Sequence, residues 1–211
     1  MKNFKRIKRG IEVAPLLEEV RANGELWDRD TTRQRLDAHR EARAILLHSR
    51  AEPADADKVV RETFPSCFTY VGRRTSVAEH FPLTCEMIEG FARSVAGLLG
   101  RVALVNLEPN GRVYLHIDTG YYYRVRSRYH LILQSAAGSR LNAGNEGVTM
   151  HEGELWWFNN RIPHEAYNSS DQDRIHVIFD LISPASVGAA AYRFSRNRAV
   201  DLYRSLRRRV A

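Results

Sequence analysis

Apolar positions recur at helical spacing in two stretches of the N-terminal half. In "IEVAPLLEEVRAN", residues 11–23, Ile11, Pro15, Leu16 and Val20 fall near one helical face, and Gly24 follows as a stop. Over residues 82–99, Met87, Ile88, Phe91, Val95, Leu98 and Leu99 recur at three- and four-residue steps, which predicts a longer helix ended by Gly100. Between the two, "AILLH" at 44–48 reads as a strand and "AEPADAD" at 51–57 as an exposed loop.

Beyond Gly100 the period changes. "RVALVNL", "RVYLHI", "SRYHLIL", "GELWWF", "EAYN" and "RIHVIFDLI" follow one another as short β-branched and aromatic runs. Pro-Asn-Gly, Ala-Ala-Gly, Asn-Ala-Gly-Asn and Asn-Ser-Ser-Asp separate them, which are turn chemistries. A meander or Greek key of this kind builds a sandwich or barrel, with the earlier helices packed on one face. After Pro184 the chain reads as helical again, with Tyr192, Phe194, Leu202, Tyr203 and Leu206 available to bury. The expected organisation is one domain over 1–211: a helical and strand support over 1–100, a β core over 101–183 and a basic helical tail over 184–211.

Composition narrows the class without naming a chemistry. Hydrophobic residues at 44% and charged residues at 27% belong to a folded chain with a real core. No apolar run approaches the roughly 20 residues of a membrane span. The opening "MKNFKRIKRGIEV" has no apolar h-region, so a cytoplasmic protein is expected. Cys67 and Cys85 lack metal-ligand spacing and read as ordinary half-buried thiols. The net charge of +7 raises nucleic acid as a partner, but seven arginines and one aspartate from Tyr192 onward carry six of those charges. That run is read as a solvated helix face in preference to a nucleic-acid patch.

Polar residues inside the β region change the picture. Residues two apart on a strand share a face, so His116 pairs with Asp118, Arg128 with His130, and Arg174 with His176. Burying such groups unpartnered costs several kcal/mol, which argues for a site. His116, Asp118 and His164 have the composition of a two-histidine, one-carboxylate facial triad, the donor set of non-haem Fe(II) sites with oxygen chemistry. Taken alone, an H-x-D at a strand end is more often a turn with a satisfied histidine. Arg174, on an otherwise apolar strand, calls for a bidentate anion such as a dicarboxylate cosubstrate.

With these residues in place, the stretch from about Leu104 to Leu181 resembles the aspartyl/asparaginyl β-hydroxylase family of Fe(II)- and 2-oxoglutarate-dependent oxygenases. The matching elements are H-x-D at 116–118, Arg-x-His at 128–130, "EGELWWFNN" before His164, "HEAYN", and "DRIHVIFD" around Arg174. The resemblance implies a double-stranded β-helix, the jelly roll or cupin-like fold. It implies Fe(II) held by His116, Asp118 and His164, with O2 as oxidant. It also implies 2-oxoglutarate held at its distal carboxylate by Arg174 and near its chelating end by Arg128 and His130. His176 would stand behind these contacts or be a satisfied core histidine.

The family's animal enzymes have glycine where this chain has Asp118, so the likeness is to the bacterial branch that includes free-proline hydroxylases. A serine that helps hold the cosubstrate in the animal enzymes corresponds here to Val105. The implied substrate is an amino acid, free or in a peptide as an Asp, Asn or Pro-type residue. Tyr121, Tyr123 and Arg126 are candidates for its pocket, the alternative being tyrosines packed on the outside of the sheet. Trp156, Trp157 and Phe158 are read as core. Two other outcomes stay open: the same iron site driving desaturation or cyclisation, and a jelly roll that binds metal or ligand without turnover.

Overall fold

A computed structural model describes residues 1–49, 71–186, 188 and 192. The elements run in the order β1 (Phe4–Lys8), α1 (Ala14–Ala22), β2 (Ala42–Ser49), β3 (Arg73–Arg74), α2 (Pro82–Ser94), β4 (Leu98–Leu107), β5 (Arg112–His116), α3 (Tyr121–Val125), β6 (Ser127–Gln134), β7 (Ser139–Ala143), β8 (Glu146–Val148), β9 (Leu155–Phe158), β10 (His164–Asn168) and β11 (Arg174–Ile182). Three 3-10 turns at Gly24–Asp28, Thr32–Arg35 and Asp37–His39 link α1 to β2.

The strands form two antiparallel sheets. Seven lie in the order β1-β9-β6-β11-β4-β2-β3 and four in the order β5-β10-β7-β8. Most sheet neighbours are distant in sequence, which is the wiring of a jelly roll. The central strands of the large sheet are buried on both sides. Outward, Leu131, Leu133, Val177, Phe179 and Leu181 meet Leu16 and Val20 of α1 and Cys85, Ile88 and Ala92 of α2. Inward, Val105, Leu107, Ile132, Trp156 and Phe158 meet Val113, Leu141, Ala143, Val148 and Ala166, drawn mostly from the small sheet. Each Val, Leu, Ile or Phe fully buried in this way contributes about 1.5–3 kcal/mol. The helices therefore do pack on one face of a β core, as the patterning predicts.

Several boundaries differ from the sequence reading. The helix α2 ends at Ser94, not Leu99. Gly97 N–H returns to the Ala92 carbonyl at 2.8 Å, and Ala96 turns the chain at φ 49°. Leu98 and Leu99 then open β4 opposite Ile182 and Leu181, so strand pairing overrides a helical period that continues past the helix. Gly100 is not a stop but a strand position. A Cβ there would lie 2.3 Å from Tyr122 Oη and 3.0 Å from Arg126 Nε. The strands β1, β7 and β8 were not expected, being short or polar. Cys85 is fully buried, which pushes its thiol up to about 11. Tyr192 is exposed rather than buried. Residues 51–57, Cys67, and Phe194, Leu202, Tyr203 and Leu206 with the arginines of the tail lie outside the described residues. Among the described residues no helix is long and apolar enough to cross a membrane.

Candidate metal centre

Register brings the two histidines of the triad together. In the antiparallel pairing of β10 with β5, His164 lies directly opposite His116, and the ring centroids are 4.2 Å apart. Each ring donates from Nδ1 to the carbonyl two residues earlier: His116 to Tyr114 at 2.7 Å and His164 to Ile162 at 2.9 Å. Those bonds fix the tautomer and leave each Nε2 as a lone pair. Asp118 follows β5 by two residues, and its oxygens lie 3.9 Å from His116 Nε2 and 4.0 Å from His164 Nε2. Gly120, at φ 100°, turns the chain immediately afterwards, a conformation that glycine adopts without strain.

Asp118 is held from two directions. Asn160 accepts its backbone N–H at 3.1 Å and donates from Nδ2 to its carboxylate at 2.8 Å. Arg128 donates from Nη1 to the same carboxylate at 2.7 Å. Burial opposes ionisation of Asp118, but Arg128, Asn160 and the two imidazoles outweigh it and hold the carboxyl below its usual range. His164 is pushed down to about 4, chiefly by burial, so its imidazole is neutral at physiological pH.

The three side chains can bring their ligand atoms within 4.8 Å of one another. Among the described residues His116 Nε2 is buried with no hydrogen-bond partner. Two imidazole nitrogens and an anionic carboxylate brought together fit a divalent transition metal on a 2-His-1-carboxylate face.

Behind this centre the inner face of the large sheet carries a column of polar groups. Arg128 on β6 lies opposite Asp180 on β11 and grips it with two bonds, Nε to Oδ1 at 2.9 Å and Nη2 to Oδ2 at 3.0 Å. The guanidinium expected at the chelating end of the cosubstrate thus bridges two carboxylates. Burial disfavours its charge, yet Asp118 and Asp180 raise its pKa well above the usual value. His130 and His176 come next, Nδ1 to Nδ1 at 3.3 Å, and both Nε2 atoms are buried without partners among the described residues. Burial, and after it Arg174, pushes both imidazoles far down, so the pair is neutral.

Arg174 is 3% exposed and meets no carboxylate among the described residues. Burial and then Arg33 bring it down to about 10, still charged at neutral pH. A buried, charged guanidinium calls for an anion, and none of the described residues supplies one. Val105, opposite His176 in the sheet register, is apolar core and offers no hydrogen bond.

The remaining candidates divide. Tyr123 stands beside the site, its ring 5.0 Å below the Arg128 guanidinium. Tyr121 opens α3, and its side chain is outside those described. Arg126 is not at a pocket mouth: it is 1% exposed, lies over the Tyr122 ring at 4.1 Å and donates to the Tyr122 carbonyl. Trp156 and Phe158 are core, and Trp157 is half-buried. The sequence reading missed Asp180, Asn160, Arg33 and His39. Asp180 alone had a usable signal, an acid inside the apolar run "VIFDLI" on the face already assigned to Arg174 and His176.

A model of the family described as Aspartyl/Asparaginyl beta-hydroxylase matches residues 37–184, the span holding every group of the centre except Arg33. A search of the curated proteins found no match. Among solved structures, an oxidoreductase of the 2OG-Fe(II) oxygenase family from Burkholderia pseudomallei is similar over 86% of this chain and 84% of its own, with a TM-score of 0.55 at 10% identity. That likeness bears on the fold, a jelly roll with flanking helices. A predicted oxalate decarboxylase from Thermotoga maritima matches 44% of this chain and 73% of its own, at 13% identity and TM-score 0.33. A cupin domain from Bordetella pertussis matches 38% of this chain and 79% of its own, at 14% identity and TM-score 0.32. These last two superpose too loosely to bear on the fold.

Proposed function

The chain belongs to the aspartyl/asparaginyl β-hydroxylase family, and we propose that it is an Fe(II)- and 2-oxoglutarate-dependent dioxygenase hydroxylating an unactivated C–H of an amino acid, free or as an Asp, Asn or Pro-type residue in a peptide. The observation that carries the reading is the pairing of a His-Asp-His face with a buried cation, Arg174, that meets no carboxylate among the described residues. A dicarboxylate with one end on the metal and the other on Arg174 answers both.

His116, Asp118 and His164 would hold the ion, which when bound supplies oxygen activation coupled to decarboxylation of 2-oxoglutarate. The chain's own residues handle orientation and charge. Arg174 would take the distal carboxylate through a two-pronged hydrogen bond and fix the cosubstrate's long axis. The buried Nε2 positions of His130 and His176 would offer that ligand neutral hydrogen-bonding groups. Arg128, anchored by Asp180, keeps Asp118 ionised and correctly turned. Phe158, edge-on to His164 at 5.2 Å, helps to exclude water.

Purified protein with Fe(II) and 2-oxoglutarate should form succinate, and a mass-spectrometric screen of amino acids and peptides should yield a product heavier by one oxygen atom. Loss of two hydrogens instead would favour desaturation or cyclisation at the same site. Absence of iron-dependent 2-oxoglutarate consumption and binding would overturn the proposal and leave a jelly roll without turnover.

A further inference from the structure

The middle residue of the three-tyrosine run on α3 has a place that the reading above does not use. Tyr122 is 4% exposed, and the guanidinium groups of Arg101 and Arg126 lie over its ring at 4.7 and 4.1 Å. Its hydroxyl is oriented from two sides: it accepts the backbone N–H of Arg101 on β4 at 2.8 Å and donates to Asp180 Oδ2 on β11 at 3.1 Å. Burial, and after it Asp180, pushes the phenol well above its ordinary value, so the proton that it donates stays in place. Gly100 leaves room for this contact, since a Cβ there would lie 2.3 Å from Tyr122 Oη.

Asp180 passes the constraint on. Both of its oxygens are gripped by Arg128, Oδ1 by Nε at 2.9 Å and Oδ2 by Nη2 at 3.0 Å, and the remaining nitrogen, Nη1, donates to Asp118 Oδ2 at 2.7 Å. A guanidinium is planar and rigid, so the angle at which Asp180 holds one edge sets where Nη1 points on the other. The hydroxyl of Tyr122 is a further donor on Oδ2 and fixes the plane of the Asp180 carboxylate. Residues 119–127, which include α3, also join Asp118 to Arg128 along the chain, so backbone and side-chain contacts close one ring around this turn. We infer that Tyr122 is a positioning residue for the metal centre: through Asp180 and Arg128, its hydroxyl sets the direction in which Asp118 presents its carboxylate to the ion. The inference rests on the reading of His116, Asp118 and His164 as metal ligands.

The test is an anaerobic titration of the full chain with Co(II), whose visible absorption bands report both affinity and ligand geometry. Tyr122→Phe keeps the ring and removes the hydroxyl. It should bind Co(II) roughly ten-fold more weakly than wild type, with the bands of the bound ion shifted, while its melting temperature establishes that it folds. Asp180→Asn should lose more. Adding Tyr122→Phe to Asp180→Asn should cost little further affinity, because the hydroxyl acts through that carboxylate. Tyr129, on the helix-facing side of β6, is the control, and Tyr129→Phe should leave affinity and bands as in wild type. Unchanged affinity and bands in Tyr122→Phe would overturn the inference. So would fully additive losses in the double variant, or an equal loss in Tyr129→Phe. A wild-type protein that binds no Co(II), or that binds it equally well as His164→Ala, would overturn the metal reading and this inference with it.

Discussion

Strands β6 and β11 lie side by side and present two kinds of chemistry on their two faces. Toward the helices they show Tyr129, Leu131, Leu133, Ile175, Val177, Phe179 and Leu181, which pack into one apolar cluster. Toward the small sheet the same strands show Arg128, His130, Arg174, His176 and Asp180, all nearly buried. The backbone is shared, so alternation alone separates a face that stabilises the fold from one that spends stability on holding polar groups in place. The outer face can be satisfied by the chain itself. The inner face is not: among the described residues Arg174 meets no carboxylate and the Nε2 atoms of His130 and His176 have no hydrogen-bond partner.

If the two faces divide the work in this way, substitutions should sort by face. On the outer face, Phe179 is fully buried, stacked on Tyr129 at 5.4 Å and edge-on to Phe91 at 5.8 Å. Phe179→Ala should cost about 3–5 kcal/mol of stability in urea unfolding. Metal bound per folded molecule should not change. On the inner face, Arg128→Met would strand Asp118 and Asp180 as buried carboxylates. Its cost should be similar, about 3–5 kcal/mol, with a loss of metal affinity that Phe179→Ala does not show. A stability loss with metal affinity intact would mean that Arg128 serves the fold alone.

Smaller effects should follow the acid sensitivity of the inner face. His130 and His176 have folded pKa values far below the ordinary 6.5. As pH falls below that value the unfolded chain takes up protons that the folded state refuses, so stability drops. The slope should be about 1.4 kcal/mol per pH unit for each such histidine, and the contribution should be flat above pH 7. Urea midpoints of the metal-free protein between pH 7 and 5 measure this, and His176→Leu should flatten the dependence. The smallest stability effect is expected for Arg174→Met, which removes an unpaired buried cation and should leave stability within about 1 kcal/mol of wild type or raise it. That variant should nevertheless need far more 2-oxoglutarate. Equal losses of stability and cosubstrate affinity would point to a structural role.

What the sequence made legible follows the same division. Strict alternation exposed both faces of β6 and β11, and the polar residues on the inner one stood out against their apolar neighbours. His116, Asp118 and His164 were legible as donors, although only the register of β5 against β10 brings the two histidines face to face. The task of Arg128 was not legible, because it depends on Asp180 falling opposite it across two strands 52 residues apart in the chain. Arg33 and His39 sit in 3-10 turns with no apolar period to mark a face, so nothing in "TTRQRLDAH" announces that His39 packs against His116. The end of α2 was misplaced because Leu98 and Leu99 fit a helical period and a strand equally well, and pairing with β11 decides between them.

The central claim is that one chamber holds both the metal and a dicarboxylate, and an anaerobic calorimetric titration of 2-oxoglutarate into the protein with and without Fe(II) tests it most directly. The account predicts about one equivalent bound, only in the presence of the metal, and no metal-dependent binding in His164→Ala. Binding of equal strength without Fe(II), or binding that survives His164→Ala unchanged, would contradict it.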